Sequence, residues 1–262
     1  MKSYEHLIRE AGDVFENLDG VFRFGQETSA QLYDITSPDA QKLFKGILIA
    51  RGYLPEASET GLSKYLRGES LASCFYTADI TGGEIDYVIF VGEVHKAALP
   101  VIMGEEIIHG EHHTKHARNS CKPFNELFTD LPVECLGFLG ALYVADNSGT
   151  DVFYRLNITQ PSLDHDFVSR EDANHFIGYM IATQIHESGK EIPYRDMFHA
   201  PSQNEMWEVV RGIVRPRVVF RQTPGKDKKF AYETLQDFCS EAGLGADIEV
   251  EDIGRDGIQK DS

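Results

Sequence analysis

The sequence predicts an α+β fold, with a small antiparallel sheet packed against several helices in one domain that spans residues 1–246. Three observations support this. Several windows repeat apolar residues at helical spacing, and two β-rich runs flank a Gly-Gly turn. The window 133–145 is apolar nearly all round, as in a buried helix. The acidic residues from Asp247 onwards predict a mobile tail, 247–262.

The first third of the chain is predicted to be helical. Residues 4–17 are amphipathic, and a second helix begins at Pro38, whose missing N–H costs little in a first turn. Gly52 and Pro55 are expected to end that helix, with a loop after them.

Two β-rich runs follow, at 71–80 and 85–94, joined by the turn residues Gly82 and Gly83. They predict a hairpin. The remaining elements are predicted in chain order as helix 100–119, helix 130–145, an extended segment 151–159, helix 170–188, helix 203–213, an extended segment 215–222 and helix 228–244.

The charge of the chain restricts its partners. Lys and Arg total 25 and Asp and Glu total 42, which gives a formal net charge of −17. Such a surface repels phosphate, so we expect no nucleic-acid partner and no docking on anionic membranes. The start of the chain lacks the apolar stretch of a secretory signal. With four cysteines outside any CxxC pair, this predicts free thiols and a cytoplasmic protein.

One window combines the residue types that bind metals. Residues 105–116, EEIIHGEHHTKH, hold four of the ten histidines of the chain. On a helix, Glu105, His109, His113 and His116 share one face. Imidazole and carboxylate are common ligands of zinc and related ions, so the window predicts a site for zinc or another divalent transition metal, within a core of about 70–145. The alternative is a solvated polar face.

The order of a strand, a histidine-bearing helix and a second helix with a glutamate resembles the zincin metallopeptidases, in particular the gluzincin branch. EEIIH at 105–109 aligns with the HExxH motif of that family, with Glu105 in place of the first histidine. The resemblance implies Glu105, His109 and Glu134 as metal ligands and Glu106 as the base that activates water. It also implies hydrolysis of a peptide or amide carbonyl in a peptide or protein substrate.

A competing register uses HGEHH at 109–113, with His109, His113 and Glu134 as ligands and Gly110 where the base should be. In either register, the strand at 85–91 is expected to pair with an extended peptide. His175 or His186 would then be the donor to the oxyanion.

Two other functions stay open. Glu106-x-x-His109 and Asp172-x-x-His175 imitate the paired motifs of ferritin-like di-metal proteins, with Glu134 as a bridge. Alternatively, the missing first histidine indicates a degenerate domain that binds a metal or a partner without catalysis. The sequence leaves the oligomeric state open.

Overall fold

A computed structural model describes most of the chain, namely residues 4–68, 70–94, 98–148, 170–222 and 237–252. Its helices are α1 (Tyr4–Phe22), α2 (Pro38–Ala50), α3 (Pro55–Leu66), α4 (Ala78–Thr81), α5 (Leu99–Asn119), α6 (Phe124–Leu127), α7 (Asp130–Ser148), α8 (Arg170–Glu187), α9 (Tyr194–Phe198) and α10 (Gln203–Ile213). Its strands are β1 (Ala30–Asp34), β2 (Ala72–Tyr76), β3 (Tyr87–Val91), β4 (Arg217–Gln222) and β5 (Asp247–Asp252).

The chain forms two compact units. The first comprises Met1–Phe124 and Gly137–Asn157, and the second comprises Asn125–Leu136 and Ile158–Ser262. The boundary falls within α7, which is one continuous helix. No helix in the described part of the chain has the length and apolarity needed to cross a bilayer.

The first unit contains a three-stranded mixed sheet in the order β1-β3-β2. β2 runs antiparallel to β3, as the predicted hairpin requires, but β1 runs parallel to β3. The prediction of an antiparallel sheet is therefore wrong for one of its two pairings. The parallel pairing arises because the chain crosses back through α2 and α3 between β1 and the other strands.

β3 is the centre of this unit, and all five of its residues are buried. Val88 and Phe90 pack on one face with residues of α2 and α3, including Phe44, whose ring meets that of Phe90 edge-on at 5.3 Å. Tyr87, which alternates with them along the strand, packs against α5. The sheet is therefore covered by helices on both faces.

Glycines set how closely α5 packs on its neighbours. A methyl group added at Gly110 would lie 2.5 Å from the ring of Tyr87, so the ring occupies the space that a side chain would fill. A methyl group at Gly104 would lie 3.1 Å from the carbonyl oxygen of Gly140 on α7, and one at Gly140 would lie 2.6 Å from Ile108. These glycines weaken the helices individually, by about 1 kcal/mol each relative to alanine, but they permit close packing.

The second unit is built on α8, α9, α10 and the first part of α7, with β4 and β5 paired in parallel. The side chain of Trp207 is fully buried, and its indole N–H donates to the carbonyl of Ala242 at 2.7 Å. A methyl group at Gly178 on α8 would lie 2.8 Å from Cβ of Glu134 and 3.0 Å from the backbone nitrogen of Cys135. α8 and the start of α7 are therefore in backbone contact.

Most of the predicted elements are confirmed where the structure describes them, and the exceptions are local. α3 occupies the region predicted to be a loop, and α4 replaces the end of the first predicted strand. Residues 247–252, assigned to the tail by the sequence, form β5 beside β4. The extended segment 151–159, part of the last helix at 228–236 and the tail at 253–262 lie outside the described residues.

Candidate metal centre

α5 carries its histidines and glutamates into the interior of the first unit. Glu105 is 9% exposed and Glu106 is 8% exposed, while Glu111, His112 and His116 are buried as well. The interpretation of this window as a solvated face is therefore wrong. Burying so many ionisable groups is costly unless they are hydrogen-bonded, paired or bound to a metal.

Glu105 and His109 lie against α7 at Gly137, a residue without a side chain. A methyl group added at Gly137 would lie 2.3 Å from Nε2 of His109 and 3.2 Å from Cγ of Glu105. The imidazole of His109 thus fills the space above this glycine. The i, i+4 spacing of Glu105 and His109 points both side chains to the same face of α5.

Glu134 precedes Gly137 by one turn of α7, and its carboxylate lies near Glu105 and His109. The candidate ligand atoms of Glu105, His109 and Glu134 all lie within 4.8 Å of one another. Bonds of about 2.0–2.2 Å place neighbouring ligands of one ion about 3–3.5 Å apart, so the side chains need to close by no more than about 1–2 Å. Among the described residues, no other His, Cys, Asp or Glu group of this size converges as closely.

The three residues are the ligands of the EEIIH register. His113, the ligand proposed by the HGEHH register, is not a member of the group. Its ring is stacked between Tyr76, at a centroid distance of 4.4 Å, and Phe124, at 4.2 Å. Burial lowers the pKa of His113 to about 4, so this imidazole is neutral at pH 7. Its position is explained by packing.

Glu106, the expected base, lies beside the group. Its Oε2 is 4.0 Å from Nδ1 of His109. Burial raises the pKa of the Cys74 thiol on β2, and the charge of Glu106 raises it further. A buried carboxylate therefore lies next to a candidate ligand.

The rest of the histidine-rich window has structural contacts. The phenol of Tyr87 donates to Glu111 at 2.9 Å, and the hydroxyl of Thr28 donates to the same carboxylate oxygen. Burial raises the pKa of Glu111. The rings of His112 and His116 meet edge-on at 4.6 Å. The density of these residues in the sequence therefore reflects packing as well as the candidate site.

In the second unit, Nε2 of His175 lies 3.4 Å from Oε2 of Glu134. The sequence predicts two roles for His175, as a donor to the oxyanion or as part of a di-metal motif. Its side chain is 43% exposed, whereas that of Glu134 is 14% exposed. The one sequence signal for this contact is Asp172-x-x-His175, and the side chain of Asp172 lies outside the described residues.

Comparison of the chain with family models, curated proteins and solved structures gives no match. Two carboxylates and an imidazole form a mixed oxygen and nitrogen donor set of the kind that binds zinc, manganese or iron. The convergence of the three side chains and their low exposure fit a bound cation.

Proposed function

We propose that the chain is a metal-dependent hydrolase that holds zinc, or another divalent transition metal, on Glu105, His109 and Glu134. The observation that carries this proposal is the convergence of their ligand atoms to within 4.8 Å. Three protein ligands leave a coordination position open, which is typical of catalytic rather than structural sites. The resemblance to gluzincins suggests a peptide or amide carbonyl as the target.

Each residue has a distinct part in this proposal. A divalent cation in the site would polarise the substrate carbonyl and lower the pKa of bound water towards 7. Glu105, His109 and Glu134 hold the cation, and Gly137 leaves room for the imidazole. Glu106 accepts the proton of the attacking water and passes it to the leaving amine.

The edge of the sheet suggests where a peptide would bind. The sequence assigned this role to the strand at 85–91, but β3 is hydrogen-bonded to β1 on one side and β2 on the other. That prediction is wrong, because a paired strand offers no free backbone groups. β2 is an edge strand that packs against α5, so an extended peptide adding to β2 would run beside the ligand helix.

We also propose that the protein works in the cytoplasm. All four cysteines are free thiols, and Cys135 and Cys239 are buried. Unpaired thiols are typical of reducing compartments.

The test combines metal analysis with peptide hydrolysis. The purified chain should contain about one zinc ion, or another divalent transition-metal ion, per molecule. A chelator should remove this ion, and the chain should cleave a peptide library only when the metal is present. Glu106→Gln should lower hydrolysis by about 10²- to 10⁴-fold and keep the metal. Glu105→Ala should lose the metal. Metal binding without any hydrolysis in the wild type would instead identify a non-catalytic metal-binding domain, and a chain that binds no metal would refute the proposal.

A further inference from the structure

The contact between Glu134 and His175 has the geometry of two ligands on one cation. Nε2 of His175 and Oε2 of Glu134 are 3.4 Å apart. Nitrogen–oxygen hydrogen bonds are usually 2.7–3.2 Å long, so this separation is long for a direct bond. Two ligands at about 2.0–2.1 Å from a tetrahedral ion lie about 3.3–3.4 Å apart, which is the separation seen here.

The backbone sets this separation. Gly178 brings α8 against the backbone of α7 at Glu134 and Cys135, and His175 lies one turn before Gly178 on the same side of α8. Asn174 precedes His175 on α8, and its amide donates a long hydrogen bond of 3.3 Å to Asp130, which lies one turn before Glu134 on α7. The two helices are therefore held together on both sides of the contact, and His175 is kept beside Glu134.

We propose that Glu134 and His175 hold a second divalent cation, so that Glu134 bridges two cations with its two carboxylate oxygens. This inference rests on the proposed function, because the first cation is the one held by Glu105, His109 and Glu134. A carboxylate has two oxygens that can each accept a ligand bond. Carboxylate-bridged pairs of cations, about 3.5–4 Å apart, stabilise both the attacking and the leaving groups in several classes of hydrolase.

The negative charge of the carboxylates around the site favours binding of two cations over one. Glu105, Glu106 and Glu134 are three mostly buried carboxylates, with a formal charge of −3 when ionised. One divalent cation leaves this group negative, whereas two cations with a bridging hydroxide make it neutral. The exposure of His175 leaves the second position open to water, so the second cation should bind more weakly than the first.

The experiment is a Mn²⁺ titration of the metal-free full-length chain, with bound metal counted by equilibrium dialysis and followed by electron paramagnetic resonance. We expect two Mn²⁺ per chain at about 1 mM free metal, with the spectrum of an exchange-coupled pair. His175→Ala should bind one Mn²⁺ with an uncoupled spectrum. His199→Ala, in the same unit, is the matched control and should bind two coupled Mn²⁺, as wild type does.

The outcomes separate the two proposals. One Mn²⁺ in both the wild type and His175→Ala would overturn the second site and leave the first intact. Two coupled Mn²⁺ in His175→Ala would also overturn it, because His175 would then not be a ligand. No Mn²⁺ and no Zn²⁺ in the wild type would refute the proposed function itself. Circular dichroism of each variant checks that it is folded, which the exposure of His175 favours.

Discussion

Replacing Gly137 by alanine tests the metal centre without altering any ligand. The added methyl group would lie 2.3 Å from Nε2 of His109, whereas non-bonded carbon and nitrogen atoms need about 3.5 Å. The imidazole must therefore move away from α7 by about 1 Å, whereas binding of one ion requires the ligand atoms to close on one another. We expect Gly137→Ala to weaken metal binding by at least 10- to 100-fold, the loss usual when the support of a ligand is disturbed.

The stability of the variant separates metal loss from unfolding. Alanine favours the helix by about 1 kcal/mol over glycine, and overpacking costs about 1–3 kcal/mol. In chelator, the variant should thus be less stable than wild type by no more than about 2 kcal/mol. The assay is isothermal titration with Zn²⁺, followed by thermal unfolding with and without chelator. Wild type should melt at a lower temperature in chelator, and Gly137→Ala should show almost no difference between the two conditions.

Gly46 provides the matched control. It also lies in a helix, α2, but a methyl group added there meets nothing within 4 Å. Gly46→Ala should therefore stabilise the protein by about 0.5–1 kcal/mol and leave metal affinity unchanged. If Gly137→Ala binds Zn²⁺ as tightly as Gly46→Ala does, His109 is not a ligand through Nε2 and the metal centre is assigned incorrectly.

His109→Ala should remove the metal and also the stabilisation that metal binding confers, a few kcal/mol when the free metal greatly exceeds its Kd; a melting temperature that responds to chelator as in wild type would contradict this. In chelator, stability should fall as the pH drops from about 6.5 towards 4, because the unfolded chain takes up a proton at His113 that the folded state, with a pKa of about 4, does not. His113→Phe keeps the stacking and should reduce this dependence in urea unfolding, and an unchanged dependence would count against it. Gly110→Ala should lower the free energy of unfolding by about 1–3 kcal/mol through its clash with Tyr87, and urea unfolding at wild-type stability would show that the ring can move.

Much of the fold follows from sequence periodicity, but one pairing does not. The helix at 100–119 and the paired runs at 71–80 and 85–94 have clear patterns and are present as α5, β2 and β3. The sequence pattern does not predict β1, because Leu32 is the one buried residue among its five. The strand therefore lacks the alternation of apolar and polar residues that marks a half-buried strand. Its parallel pairing depends on the path of the chain through α2 and α3, which local patterns do not encode.

The candidate site was partly predictable for a similar reason. Spacing on one helix identifies Glu105 and His109 as neighbours, and the resemblance added Glu134 from the next long helix. The same spacing includes His113, because helical geometry cannot reveal that Tyr76 and Phe124 enclose its ring. The contact of Glu134 with His175 depends on the close approach of two helices at Gly178, a tertiary feature that a single sequence does not display.

Tyr87 fixes the axial and rotational position of α5 against the sheet. Its ring requires the absence of a side chain at position 110, while its hydroxyl requires an acceptor at position 111. If α5 slid or rotated by one residue, a side chain would meet the ring and the phenol would lose its carboxylate partner. Only one axial and rotational setting of the helix satisfies both conditions. Because Glu105 and His109 lie on the same helix, Tyr87 also determines where these two side chains lie within the first unit.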